Sequence, residues 1–211
     1  MAMIGDGMTK IGIFLGSFDP VHIGHINIVR EALKVLDKVI VVPTKHNPWK
    51  GHEPSPFDVR CDMTSLALLP FGDRVNVSDI EGTFDEPYYS YKTLEHFKNL
   101  YEGEELYLIC GSDTAPQVPY WKDAEEKIMP FYKILSFGRN TDTHVETATC
   151  VVDTAFGPSG KRYGYTQINI DAFPVSSTRI RKMVNNGETI YPLVPHAIEN
   201  IIKEKRIYEK T

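Results

Sequence analysis

Gly16-Ser17-Phe18-Asp19-Pro20-Val21-His22-Ile23-Gly24-His25 is the stretch on which the reading of the chain turns. Before it lies an apolar run, Ile11 to Leu15, with the brevity of a buried parallel strand. After it come Ile26, Val29, Leu33 and Leu36, spaced by three and four, the period of a helix with one buried face. The order is strand, tight turn, helix. A helix that opens directly off a strand carries unpaired backbone N–H groups at its start, and these, with the helix dipole, favour an anion. His22 and His25 sit together at that positive end. A histidine pair so placed could meet the phosphates of a ligand, belong to a metal site, or simply bond within itself.

Length and composition narrow the class. A chain of 211 residues can build one sizeable core, so residues 1–211 are expected to form a single domain. Hydrophobic residues make up 42% and charged residues 24%, which excludes a disordered or fibrous chain. A net charge of −5 argues against a nucleic-acid footprint spread over the surface, while permitting a local basic pocket. No apolar run approaches membrane-spanning length, and Met1 to Lys10 lacks the pattern of a secretory signal. Cys61, Cys110 and Cys150 are scattered and odd in number, as expected of reduced thiols in a cytoplasmic protein. The expectation is a cytoplasmic protein with no nucleic-acid partner and no membrane.

Outward from the first helix, Lys38 to Val42 reads as a second strand, β-branched and continuous. Strand, helix and strand in quick succession imply a right-handed crossover and a parallel sheet. Ligands of such sheets sit beyond the carboxyl ends of the strands. The loop from Pro43 to Lys50 therefore falls on the rim that carries His22 and His25, and Lys45, His46 and Lys50 make it basic. Phe57 to Leu69 reads as a helix, Arg74 to Ile80 as a strand, and Glu81 to Tyr91 as a loop. Tyr88, Tyr89 and Tyr91 could stack on a planar ligand or pack at the loop edge. A helix from Thr93 to Tyr101 precedes a strand, Glu105 to Cys110. That strand ends in Gly111-Ser112-Asp113, where glycine allows close backbone approach and a short carboxylate can accept from ribose hydroxyls.

Tyr120 to Met129 is expected to be helical, with Trp121 at its opening. Tyr132 to Phe137 reads as a strand closed by Gly138-Arg139. Thr149 to Asp153 fits a short strand, and Phe156 to Gly164 a mobile loop, either a lid or an irregular connector. Thr166 to Ile170 reads as the last strand. Val175-Ser176-Ser177-Thr178-Arg179-Ile180-Arg181 then starts a helix. Its hydroxyls and free N–H groups, with Arg181 one turn in, suit a triphosphate. A helix from His196 to Lys205 follows.

Gly16 to His25, ten residues without a gap, resembles the signature of the nucleotidyltransferase superfamily, whose His-x-Gly-His binds a nucleoside triphosphate. Val175 to Arg181 resembles the second signature, Ile-Ser-Ser-Thr-x-x-Arg, with Val175 the one conservative departure. Two such signatures in the right order, about 150 residues apart, seldom arise by chance. Between them, several segments resemble the nicotinate/nicotinamide mononucleotide adenylyltransferases. Asn47-Pro48-Trp49-Lys50 is similar to the end of a Pro-His-Lys loop, with Trp49 replacing histidine. Tyr89-Ser90-Tyr91-Lys92-Thr93 resembles Tyr-Thr-x-Asp-Thr, with Lys92 replacing the acid. Gly111-Ser112-Asp113 resembles Gly-Ala/Ser-Asp, and Trp121 stands where bacterial members keep a tryptophan for the pyridine ring. Arg139 has a counterpart arginine, and Tyr191 to Lys205 resembles the usual ending of this branch.

The resemblance implies an α/β fold, a doubly wound parallel sheet of the Rossmann-like nucleotidyltransferase type. It implies adenylyl transfer, in which ATP and nicotinate or nicotinamide mononucleotide give the dinucleotide and pyrophosphate, a step of NAD biosynthesis. His22, His25, Lys50 and Arg181 would be the catalytic group. Gly16, Ser17, Phe18 and Gly24 would line ATP with the two histidines. Gly111 and Asp113 would face the adenosine, and Ser176, Ser177, Thr178 and Arg181 the outer phosphates. Ser17, Phe18, Lys45, Lys50, Tyr91, Thr93, Trp121 and Arg139 would meet the mononucleotide. Mg²⁺ would ride on the ATP phosphates, since no carboxylate cluster suggests a protein-built cage. Asp19 reads as a turn-stabilising residue. Oligomeric state is open, a homodimer included. Pantetheine-phosphate adenylyltransferases and cytidylyltransferases share the first signature, and a nucleotide-binding regulator without catalysis is the rival from another class. Class I aminoacyl-tRNA synthetases share the histidine motif, but their Lys-Met-Ser-Lys-type loop is missing.

Overall fold

The computed structural model describes residues 8–46, 53–140, 150–171 and 174–209. Its centre is β1 (Lys10–Gly16), whose Ile13 is fully buried. The turn at residues 17–22 leads into α1 (Ile23–Ala32) and then β2 (Lys38–Pro43), paired parallel to β1 from Ile11 opposite Lys38 to Gly16 opposite Pro43. The helix α2 (Phe57–Leu68) and a 3₁₀ turn (Leu69–Arg74) lead to the short β3 (Val75–Val77). The chain then crosses through α3 (Ser90–Leu100) to β4 (Glu105–Gly111), on the other side of β1. A 3₁₀ turn (Ala115–Tyr120) and the short α4 (Ala124–Lys127) precede β5 (Lys133–Asn140). Last come β6 (Cys150–Phe156), β7 (Arg162–Asp171), α5 (Ser177–Asn185) and α6 (His196–Glu204).

The seven strands form one sheet in the order β3-β2-β1-β4-β5-β7-β6. All neighbours are parallel except β6, which runs antiparallel to β7 at the edge. The order reverses at β1, so successive crossovers place helices on opposite faces. Val29, Ala32, Met63, Ile180 and Ile198 from α1, α2, α5 and α6 cover one face. Leu94, Phe97, Val118 and Ala124 from the α3–α4 region cover the other. Alternate residues of each central strand feed the two cores: Val39 and Val41 point one way, Ile40 and Val42 the other. This two-sided burial is why the strands read as continuous apolar runs rather than alternating ones. The doubly wound sheet is as expected, with an added antiparallel edge.

Three expected elements differ. Residues 156–164 are not a loose loop but the tip of a β6–β7 hairpin, in register from Cys150 opposite Ile168 to Phe156 opposite Arg162. Gly157 and Gly160, read as loop glycines, serve the turn: Gly160 has φ 79°, and Glu125 packs against Gly157 where a Cβ would stand. Tyr120 to Met129 is not one helix. Pro119 lies in the 3₁₀ turn, and Asp123, at φ 55°, interrupts the backbone before α4 begins. The strand expected over Arg74 to Ile80 pairs only over Val75–Val77.

A buried cation ties the ligand-side rim of this sheet together. Arg60 of α2 is fully buried. Its Nε donates to Ser55 O at 2.9 Å, Nη1 to Ser17 O at 2.8 Å and Thr44 O at 2.7 Å, and Nη2 to Lys45 O at 3.0 Å. Burial pushes the guanidinium pKa down, and the Asp19 carboxylate opposes that push. Arg60→Leu would strand four carbonyls and leave buried acids without their counter-charge. It should cost about 3–5 kcal/mol in urea denaturation, the loss typical of breaking a buried charged network. A cost below about 1 kcal/mol would refute that role.

Candidate active site

The site is built where α1 and α5 begin. His22 caps α1 with its side chain: the His25 N–H lies 3.4 Å from His22 Nδ1, and the His22 N–H lies 3.3 Å from His25 Nδ1. The two rings stack at 3.7 Å between centroids, 16° from parallel. Each Nδ1 acts as an acceptor, so the ring proton belongs on Nε2. One capping arrangement thus starts the helix and leaves each imidazole with an Nε2–H donor. Ile23 N donates to Leu193 O at 3.0 Å.

The second helix start lies against the first. Ser176 caps α5, its hydroxyl accepting from Arg179 N at 3.2 Å. Ser177 Oγ donates to Pro20 O at 3.0 Å, and Arg181 Nη1 donates to Asp19 O at 2.7 Å. Those two bonds join segments 157 and 162 residues apart in the chain. Arg181 Nη2 also reaches Thr178 Oγ1 at 3.4 Å. A Cβ on Gly24 would stand 3.1 Å from the His22 ring and 3.2 Å from Val175 Cγ1, so the missing side chain lets the two starts close. The geometry can surround a polyanion with imidazole, guanidinium, hydroxyl and backbone donors.

The other expected residues divide. Gly16 ends β1 on this rim, and Phe18 packs against it; Phe18 is 2% exposed and meets the His25 ring edge-on at 4.9 Å. The Phe18 side chain supports a histidine. Ser17 gives its carbonyl to Arg60. Gly111 and Asp113 close β4 on the same edge, with Asp113 folded back over Gly111. Lys45 gives its backbone N–H to Glu81 Oε2 at 2.8 Å, and its ammonium rests 5.3 Å from the Tyr88 ring centre. Thr93 is 1% exposed and its hydroxyl donates to Glu81 Oε1 at 2.8 Å. Tyr91 stacks on Tyr89 at 6.0 Å, beneath Lys127 at 4.2 Å, and Trp121 is half-buried beside the same core. Arg139 lies in β5, with its side chain outside the described residues. Lys50, Trp49 and the rest of Asn47 to Lys50 lie outside them altogether.

The family described as cytidylyltransferase-like matches this chain over residues 13–183, a span that holds both helix starts. The chain belongs to that family. A probable nicotinate-nucleotide adenylyltransferase of Methylacidiphilum infernorum is 34% identical over 203 residues, covering 94% of this chain and 92% of that protein. One from Clostridium tetani is 32% identical over 95% of this chain and the whole of its own length. Among solved structures, Plasmodium falciparum nicotinic acid mononucleotide adenylyltransferase complexed with NaAD superposes with a TM-score of 0.71. It is 19% identical and covers 95% of this chain and 97% of its own. A putative nicotinate-nucleotide adenylyltransferase from Vibrio parahaemolyticus gives 0.67 at 20% identity, over 97% of this chain and 98% of its own.

Three residues of this cytidylyltransferase-like enzyme were invisible as site-builders in the sequence. Arg60 shares a helical face with Thr64 and Ala67, and a cation on a buried stripe is the signal that could have found it. Glu81 sits in a short 3₁₀ turn (Ile80–Thr83) and Tyr208 near the end of the chain, and neither carries a local signal. Burial pushes the Glu81 pKa up, although Lys45 N–H and the Thr93 hydroxyl oppose it. Gly24→Val should leave the helix α1 formed but force His22 and Val175 apart. Turnover should fall about 100-fold, the scale of a small misplacement of catalytic groups. Unchanged steady-state kinetics in the folded variant would refute the close-approach role.

Proposed function

We propose that this enzyme transfers the adenylyl group of ATP to nicotinate mononucleotide, releasing pyrophosphate and forming the dinucleotide, in the biosynthesis of NAD. The observation that carries this reading is the junction of the two helix starts, fixed by Ser177 on Pro20 and Arg181 on Asp19. The relatives aligned over nearly the whole chain, named for the nicotinate form, support the acid acceptor.

The chemistry asks little covalent work of the protein. A phosphate oxygen of the mononucleotide attacks the α-phosphorus of ATP in line. The new P–O bond forms as the bond to the β-phosphate bridging oxygen breaks, and pyrophosphate departs with that electron pair. Catalysis is positioning plus charge neutralisation. His22 and His25 would direct their Nε2–H groups at the phosphates that accumulate charge. Thr178 and Arg181, with the N–H groups that open α5, would take the β- and γ-phosphates. Ser176 and Ser177 shape that helix start, and Lys45 and Lys50 would offset charge as two anions meet. Gly111 and Asp113 would face the adenosine, and Tyr91, Trp121 and Arg139 the pyridine nucleotide. Among the described residues no group of three or more histidine, cysteine or acidic side chains is placed to hold a metal ion. Mg²⁺ would travel on the ATP phosphates as part of MgATP. No described helix is long and apolar enough to cross a membrane, and the buried free thiols of Cys61 and Cys110 suit the reducing cytoplasm.

His25→Ala should lower kcat about 100-fold or more with the fold intact, the usual loss for one donor to a charged transition state. Near-normal turnover in the purified variant would remove His25 from the mechanism. Pyrophosphate release from MgATP should be measured with the acid mononucleotide, the amide mononucleotide and phosphopantetheine. A carboxylate accepts charge-assisted hydrogen bonds that an amide cannot match, so kcat/KM for the acid should lead by about tenfold or more. Equal use of the amide would overturn the acid preference, and activity only with phosphopantetheine would overturn the pyridine assignment.

A further inference from the structure

Lys45 lies just past β2, on the rim that carries the first signature: its neighbour Thr44 donates its N–H to Gly16 O at 2.7 Å. Both backbone polar groups of Lys45 are held by buried ionisable side chains. Its N–H donates to Glu81 Oε2 at 2.8 Å, and its carbonyl accepts from Arg60 Nη2 at 3.0 Å. Glu81, 4% exposed, comes from the 3₁₀ turn Ile80–Thr83, and Arg60 from α2. A residue outside any helix or strand is thus clamped from two elements at once. Loop residues more often leave such groups to water and keep their backbone freedom. Fixing them costs conformational entropy that the fold must recover.

The clamp has a second layer. Glu81 Oε1 accepts from the Thr93 hydroxyl at 2.8 Å, so both carboxylate oxygens serve as acceptors. Burial pushes the Glu81 pKa up, while the Lys45 N–H, the Thr93 hydroxyl and Arg60 oppose that push. Gly82, the next residue, lies against the start of α2: a Cβ there would stand 2.9 Å from the Phe57 ring. The turn is therefore seated on the same helix that supplies Arg60. The Lys45 side chain follows its backbone onto this turn. Its Nζ lies 3.4 Å from Gly82 O and 5.3 Å from the centre of the Tyr88 ring. Both are neutral groups, which orient an ammonium without cancelling its charge.

We propose that Glu81 is a positioning residue for Lys45: by accepting its N–H, it sets the loop after β2 so that the ammonium meets the phosphate of the acceptor mononucleotide. The proposal rests on the adenylyl-transfer reading of the site, in which Lys45 offsets charge as two anions meet. The acceptor brings a phosphate monoester that is itself the nucleophile, and a cation fixed in direction serves it better than one that sweeps through solvent. An ammonium is a point charge on a flexible stem, so the backbone anchor sets the volume it samples. What Glu81 must supply is an acceptor rather than a charge. A purely structural Glu81 would predict something different: lower stability, with ATP and the mononucleotide affected alike.

The test uses the full chain and steady-state kinetics with MgATP and nicotinate mononucleotide. Lys45→Met should raise KM for the mononucleotide about tenfold, with KM for ATP within about twofold, the selectivity expected from losing one charged contact. Glu81→Met, which keeps the bulk and removes both acceptors, should do the same. Added to Lys45→Met, it should raise KM by less than about twofold more, because no ammonium is left to position. Glu81→Gln should stay within about threefold of the unsubstituted chain, since its carbonyl can take the Lys45 N–H while its amide donates to the Thr93 hydroxyl. An unchanged mononucleotide KM in Lys45→Met or Glu81→Met overturns the proposal. So does an equal rise in both KM values, a pair of substitutions whose effects multiply, or a Glu81→Gln chain as impaired as Glu81→Met. Should Glu81→Met not fold, Thr93→Val takes its place in the same cycle. A rise in mononucleotide KM of about threefold or more that vanishes on the Lys45→Met background supports the clamp, and any other result overturns it. An unsubstituted chain that releases no pyrophosphate from MgATP with the mononucleotide would instead overturn the adenylyl-transfer reading itself.

Discussion

The rim of this sheet depends on one buried guanidinium. Where parallel strands stop, their last carbonyls lose ladder partners and need donors from elsewhere. At the ends of β1 and β2 those donors come from Arg60, which gathers the carbonyls of Ser17, Thr44, Lys45 and Ser55. The turn after β1 and the loop after β2 are thus held to α2 and to each other. Rigid placement of that turn is the precondition for everything His22 and Arg181 could do, because both are positioned by it.

The second level of assembly is economical in contacts. The imidazole pair caps α1 by its Nδ1 atoms and so fixes which ring nitrogen carries the proton. The α5 start is fixed by one hydroxyl and one guanidinium, each donating to a carbonyl of the first turn. Both bonds take backbone oxygens of that turn, and the Asp19 carboxylate lies 3.9 Å from the Arg181 guanidinium. The anchored side chain is one-fifth exposed, enough to reach a ligand while its direction stays fixed.

Much of this was legible because local and tertiary demands agree. Ile11 to Leu15 is apolar throughout since both faces of β1 are covered, and Ile26, Val29 and Leu33 keep helical spacing since α1 buries one face. The two signatures could be read as segments, and the fold brings them side by side. Legibility failed where tertiary pairing overrode local signals. Gly157 and Gly160 advertise a loop, yet they serve a hairpin turn that Glu125 holds through Ser159 and Tyr163. The bond from the Thr93 hydroxyl to the buried Glu81, in the 3₁₀ turn Ile80–Thr83, had no signal in the motif around Thr93. Glu81 reaches back to Lys45 and Tyr208 to Asp19, and Arg60 reaches Ser17, Thr44 and Lys45 as well as nearby Ser55, so local patterning shows little of what they do.

An acidic chain that gathers anions needs its own carboxylates near the site to face away. Asp19 and Glu81 are both buried, and both spend their oxygens inward: Asp19 on Tyr208 and Ser55, Glu81 on Lys45 N–H and Thr93. Arg60 supplies positive charge felt by each. In a medium of low dielectric these acids would otherwise repel a polyphosphate strongly. Turned toward the scaffold, they stiffen the two loops instead, and the surface left at the rim is rich in donors. The net charge of −5 is therefore no obstacle to phosphate chemistry, because the sign that matters is set by which groups face the ligand and which are consumed in holding the frame.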